Sequence, residues 1–197
     1  MRAPFDLTAA WMAEATGGRL LAGAGDAIAT SVSIDTRTLQ PGALYVAIRG
    51  DRHDGHAFVA DAVARGAAGI LVSDQAAAAG AGNAFVIAVD DTLVALQTLG
   101  REIRRRSSAL VIAITGSAGK TTTKELTATL LEGHLEVFRN RGNLNNHIGL
   151  PLSLAELRTG PDVAVVELGM NHKGEISTLV ALAEPEIRVW TNVGNAH

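Results

Sequence analysis

Gly116, Gly119, Lys120 and Thr121 stand at spacings suited to gripping the phosphates of a nucleotide. They belong to the segment Thr115-Gly116-Ser117-Ala118-Gly119-Lys120-Thr121-Thr122, which follows the apolar run Val111 to Ile114 and precedes a helical pattern. Glycines let a loop adopt backbone angles closed to other residues and bring its amides close to a ligand. A helix opening near Lys120 then aims its free N–H groups and dipole at an anion. Lys120 is expected to reach the outer phosphates, and the Thr121 hydroxyl to hold a magnesium ion. The pattern is Gly-x-x-Gly-Lys-Thr, shorter than the usual phosphate loop, because position 114 is Ile where a further glycine would stand. A turn with an incidental lysine would account for the glycines alone. It does not account for strand, both glycines, Lys-Thr and helix occurring together, so nucleotide binding is the working premise.

Two further strand ends carry useful chemistry. Glu167 follows the apolar run Val163 to Val166, which would hold a carboxylate at the mouth of the core, where a magnesium ion would offset its desolvation. The same position also suits a strand-end residue facing water. His197 comes after the expected strand Ile187 to Thr191, and on spacing alone a lone histidine there reads as a bystander. The loop from Arg139 to His147 contains Asn140, Asn143, Asn145 and Asn146. Amides donate and accept, so these side chains suit ribose, phosphate or peptide, and asparagine is equally a common loop former. Asp51-Arg52-His53-Asp54-Gly55-His56 invites a metal reading, although histidines of polar loops commonly bind none.

These residues need strands to position them, and the chain supplies a regular alternation. Its 197 residues, 47% hydrophobic with a formal net charge of -3, suit two modest globular domains. No clustered basic surface calls for nucleic acid. The one basic run, Arg101 to Arg106, reads as the solvated face of a helix. The absence of cysteine excludes a disulfide framework and a thiolate nucleophile and fits the cytoplasm. No apolar stretch has the length of a membrane span or the form of a signal peptide.

A helix is expected over 5–15 with Thr8 as a possible cap. Strands follow at 31–35 and 44–48, then a helix ending at Gly66, and strands at 69–72 and 85–89. A second unit opens with a helix over 92–105 and continues as strand 111–114, helix 121–132, strand 135–139, a helix near 151–157, strand 163–166, helix 174–183 and strand 187–191. The fold class is α/β: a small domain over 1–90, then a P-loop domain over 91–197 with a parallel sheet and ligands at the carboxyl ends of its strands.

Taken together, four separated motifs resemble the Mur ligases. They are Thr115 to Glu125, the Gly142-Asn143-Leu144-Asn145-Asn146 loop with Ile148-Gly149-Leu150-Pro151, the strand end Glu167-Leu168-Gly169-Met170-Asn171, and Asn192-Val193-Gly194-Asn195-Ala196-His197. In the first domain, Asp35-Thr36-Arg37, Pro41 to Ala47 and Asp54-Gly55-His56-x-Phe58 look like that family's nucleotide-sugar-binding domain. The resemblance implies an ATP- and magnesium-dependent amide ligase of peptidoglycan synthesis in the cytoplasm; a monomer is expected. In such a ligase ATP phosphorylates the terminal carboxylate of a UDP-linked muramoyl peptide, and an amine then attacks the acyl phosphate. Details of Gly-Ser-Ala-Gly-Lys-Thr and of Glu167 to Glu175 are more similar to the branch that joins D-alanyl-D-alanine to UDP-N-acetylmuramoyl-tripeptide than to the tripeptide-forming branch.

Carried onto this sequence, the resemblance has Gly116, Ser117, Ala118, Gly119, Lys120, Thr121 and Thr122 wrap ATP. Lys120, Glu167 and His197 are catalytic, and Thr121, Glu167 and His197 are metal ligands. Asp35, Thr36, Arg37, Asn145 and Asn146 bind the UDP-peptide. Members of the family continue beyond the last motif into a domain that receives the incoming amine. The chain therefore reads as a truncated P-loop domain joined to a nucleotide-sugar-binding domain, inactive by itself. From another class, a generic P-loop phosphotransferase would call for a longer loop and, usually, an aspartate at position 167.

Overall fold

The computed structural model describes residues 4–50, 53–142, 144–170 and 174–194. Two compact units emerge, Asp6–Leu99 and a second made of Pro4, Phe5 and the described residues from Gly100 onward.

In the first unit, strand β1 (Leu7–Thr8) runs into helix α1 (Ala9–Ala15). The Thr8 hydroxyl accepts from Trp11 N, so it caps the helix as its residue type suggests, and the helix begins after it and not at Phe5. Strands β2 (Arg19–Ala22), β3 (Ile28–Ala29), β4 (Val32–Ser33) and β5 (Leu44–Val46) follow. A 3-10 turn at Gly55–Phe58 leads into α2 (Val59–Ala64), β6 (Gly69–Val72), a second 3-10 turn at Gln75–Gly80 and β7 (Phe85–Ala88). Strands β4, β5, β6 and β7 pair in parallel, and β2 adds to β7 antiparallel, giving the order β2-β7-β6-β5-β4. Strands β5, β6 and β7 are buried along their whole length, which explains why they lack a polar alternation. Tyr45, Val59, Ile70, Val72 and Val86 form the centre of one core cluster, and Tyr45 donates its hydroxyl to Gly55 O at 3.0 Å.

Helix α3 (Thr92–Arg106) belongs to both units, which divide between Leu99 and Gly100. The second unit then runs β8 (Leu110–Thr115), α4 (Lys120–Leu131), β9 (Val137–Arg139), α5 (Gly149–Ala155), a 3-10 turn (Glu156–Thr159), β10 (Val163–Glu167), α6 (Glu175–Ala183) and β11 (Ile187–Trp190). Its sheet is parallel throughout in the order β11-β8-β10-β9. Glu167 pairs in register with Ile114 and Trp190 with Thr115, so the three strands end on one rim. The α/β class and parallel P-loop sheet match the sequence reading.

One expectation fails here. Arg101 to Arg106 is not a solvated face, because Arg104 is buried. Leu96, Leu99 and Ile103 form the buried stripe of α3, and position 104 flanks it. A guanidinium taken out of water needs several acceptors. Arg104 finds them in Ala183 O (2.9 Å), Glu184 O (3.0 Å) and the Glu186 carboxylate (2.5 Å), whose other oxygen accepts from Val111 N. Among the described residues, no helix is long and apolar enough to cross a membrane.

Candidate functional site

The loop between β8 and α4 turns on two left-handed glycines, Gly116 (φ 141°) and Gly119 (φ 80°). At Gly116 the conformation is compounded by crowding, since a β-carbon there would stand 2.1 Å from the Thr191 hydroxyl. The segment after β11 packs closely on the loop. Thr191 donates to Ala118 O at 2.5 Å, Asn192 accepts from Ser117 N through its carbonyl and from Ala118 N through its side chain, and Ser117 exchanges hydrogen bonds with Gly194. Lys120 opens α4 and donates its ammonium to Gly116 O at 2.7 Å, which leaves it two further protons for an anion. Thr122 is exposed in the first turn of the same helix.

Glu167 is 4% exposed at the end of β10. One carboxylate oxygen accepts from the Thr121 hydroxyl at 2.7 Å and the other from the Asn145 amide at 2.9 Å. No cation pairs with it among the described residues. A buried carboxylate with only neutral donors is costly, and a hydroxyl beside it completes a pair of hard oxygen ligands. The donor set therefore fits magnesium. No group of three or more His, Cys, Asp or Glu gathers among the described residues, so an ion held here would take most of its ligands from phosphate and water. His197 lies outside the described residues.

The asparagine loop splits by role. Asn145 reaches Glu167, whereas the Asn146 side-chain oxygen accepts from Ile148 N and Gly149 N and so ties down the turn that leads into α5. Asn140 holds the backbone of Glu167, accepting from its N at 2.9 Å and donating to its O at 3.3 Å. Asn143 lies outside the described residues.

In the first unit, Asp35, Thr36 and Arg37 line a cavity of about 450 Å³ together with Tyr45, His53 and Phe58. Arg37 clamps Asp35 with two nitrogens, at 2.9 and 2.6 Å, and this hydrogen bonding is the main cause of a carboxyl pKa lowered to about 2. The metal reading of His53 and His56 finds a structural explanation instead. His56 is buried, its Nδ1 bonds Asp54 at 2.6 Å, and its Nε2 accepts from Ser73 N and Asp74 N. Asp54, His56 and Ser73 thus align like a nucleophile triad, but the two backbone amides occupy the nitrogen that would take a serine proton. Asp51 and Arg52 lie outside the described residues.

Comparison with known proteins identifies the family. The family described as "Mur ligase family, catalytic domain" matches residues 29–128, just over half of the chain, and "Mur ligase middle domain" matches residues 114–197. The chain belongs to the Mur ligase family. It is similar to UDP-N-acetylmuramoyl-tripeptide--D-alanyl-D-alanine ligase of Bacillus subtilis, with 43% identity over 84% of this chain and 36% of that protein. Among solved structures it resembles the Acinetobacter baumannii D-alanyl-D-alanyl ligase, with TM-score 0.88 and 35% identity over all of this chain and 44% of the other. It also resembles the Thermotoga maritima MurF ligase in complex with ADP, with TM-score 0.73 and 34% identity over 85% of this chain and 38% of the other. This Mur ligase chain thus spans between about a third and a half of the length of these relatives.

Two sets of site residues in this Mur ligase escaped the sequence reading as individuals: Thr191 with Asn192, which bind the phosphate loop, and Asn140, which binds Glu167. Asn192 belongs to the motif Asn192 to His197, and Asn140 to the asparagine loop.

Proposed function

We propose that this chain carries the UDP-sugar-peptide-binding and ATP-binding parts of a cytoplasmic, monomeric ligase that adds D-alanyl-D-alanine to UDP-N-acetylmuramoyl-tripeptide. The observation that carries the reading is the Thr121–Glu167 pair, a hydroxyl and a buried carboxylate with no cation partner among the described residues, set beside the Gly116–Lys120 loop on the carboxyl rim of a parallel sheet. Lys120 and the loop amides bind and orient the ATP phosphates, with Ser117 and Ala118 exchanging Asn192 for phosphate oxygens. Thr121 and Glu167, with His197, would hold a magnesium ion, which would supply neutralising charge where the two anions meet. Transfer to the terminal carboxylate of the tripeptide gives an acyl phosphate, and the D-alanyl-D-alanine amine displaces phosphate to form the amide. The cavity at Asp35, Thr36 and Arg37 takes part of the UDP-sugar, with Arg37 offering a cation and Thr36 a hydroxyl; Asn145 helps place substrate beside Glu167.

Calorimetric titration tests this reading. Saturable binding of UDP-N-acetylmuramoyl-tripeptide that Lys120→Ala leaves unchanged, with magnesium-ATP binding that Lys120→Ala weakens, supports both assignments. A folded chain that ignores the UDP-tripeptide overturns the muramoyl reading and favours a generic phosphotransferase. A preference for the UDP-dipeptide moves it to the tripeptide-forming branch.

A further inference from the structure

Lys124 and Ala128 are the two buried residues of α4, one turn apart, so position 124 is a place where an apolar side chain would be ordinary. A lysine 1% exposed there calls for a reason. Its ammonium donates to Asn140 O at 2.7 Å and pairs with Glu125 at 3.0 Å. Asn140 is also 1% exposed, and its side chain is fully engaged: it accepts from Glu167 N, and donates to Glu167 O and to Leu144 O. Following these bonds closes a ring. Thr121 and Lys124 share the first turns of α4, Lys124 holds Asn140, Asn140 holds both backbone groups of Glu167, and the Glu167 carboxylate returns to Thr121.

We propose that Lys124 and Asn140 are positioning residues that fix the Glu167 carboxylate against the Thr121 hydroxyl. The inference rests on reading that pair as oxygen ligands of nucleotide-bound magnesium. Magnesium demands near-ideal ligand geometry at short distances, so the placement of two protein oxygens from different elements controls its affinity. The sheet alone sets where β10 ends; the ring adds a direct tie from that end to the helix carrying Thr121.

The test is titration of a fluorescent ADP analogue into the folded chain, with magnesium varied from zero (EDTA) to saturation. Asn140→Ala and Lys124→Met are expected to raise the magnesium concentration for half-maximal effect about tenfold while affinity in EDTA stays within about twofold, and Asn140→Thr, which keeps one donor and one acceptor, is expected to recover part of the loss. In a Glu167→Gln background both substitutions should lose their effect on the magnesium midpoint, because they act through the carboxylate. Lys124→Met suits the core position, so it carries the test if Asn140→Ala fails to fold. Midpoints within twofold of the unsubstituted chain, or an equal loss of affinity in EDTA, overturn the inference alone. If the unsubstituted chain shows no magnesium-dependent nucleotide binding, the proposed function falls and takes the inference with it.

Discussion

Thr121 donates its hydroxyl to Glu167 at 2.7 Å, joining the first turn of a helix to the end of a strand forty-six positions further along the chain. Thr121→Val keeps the shape and removes the donor. Magnesium-dependent nucleotide binding, followed by calorimetry, should weaken about tenfold, equivalent to about 1.4 kcal/mol. Loss of one of the carboxylate's two donors should also cost about 1 kcal/mol of stability, read from denaturant unfolding.

The two loop glycines should respond differently to alanine. At Gly116 the added carbon meets the Thr191 oxygen at 2.1 Å, and that oxygen is already committed to Ala118 O. At Gly119 the nearest neighbour stands 3.9 Å away, so only the left-handed backbone is strained, at a cost of about 1–2 kcal/mol. Gly116→Ala should abolish nucleotide binding and lower the melting temperature more than Gly119→Ala. The reverse order in a thermal melt would show that Thr191 does not hold the loop.

Much of this site was legible because its signals are local. The β-branched run of β8, the glycines and the Lys-Thr pair lie within a dozen positions, and Glu167 directly follows four apolar residues of a buried strand. What escaped depends on contacts distant in sequence. Asn192 meets Ala118 only because β11 pairs with β8, and nothing near either residue announces it. Strands β2 and β3 leave no signal in the sequence, because β2 is largely exposed and β3 has only two residues, too little for a period to show. Arg104 was misjudged because four arginines in six positions resemble a wet surface until the buried stripe of α3 fixes the helix rotation.

Arg104 should be a stability residue. Arg104→Met removes donors to two carbonyls and a carboxylate at the turn between α6 and β11. A loss of about 2–3 kcal/mol is expected in urea unfolding, with the midpoint shifted and the slope kept. Arg105→Ala, which breaks a half-exposed pair with Glu184, should shift the urea midpoint far less.

The first unit should fail at both extremes of pH. The hydrogen bond from Arg37 holds the Asp35 carboxyl at about 2, and hydrogen bonds from the His56 backbone and ring hold Asp54 at about 2, both from an ordinary 3.8. Depressed carboxyls add stability that is complete above about pH 4 and is lost as the pH falls toward 2. Burial pushes the Tyr45 hydroxyl from 10.0 up to about 12, so the stability of its neutral form is complete below about pH 10 and is lost as the pH rises toward 12. Denaturant titrations at stepped pH should show both slopes. Asp54→Asn should flatten the acid one, and Tyr45→Phe the alkaline one.

The parallel pairing of Glu167 with Ile114 makes β10 a ruler. Side chains alternate between sheet faces at each step, so one residue inserted among Val163 to Val166 would leave the composition and the apolar character of the strand almost unchanged while sending the carboxylate to the opposite face, away from Thr121. Substitutions along β10 that preserve bulk can be absorbed by repacking, but a change of length by one cannot. The chemistry of this rim is protected by counting as much as by residue identity.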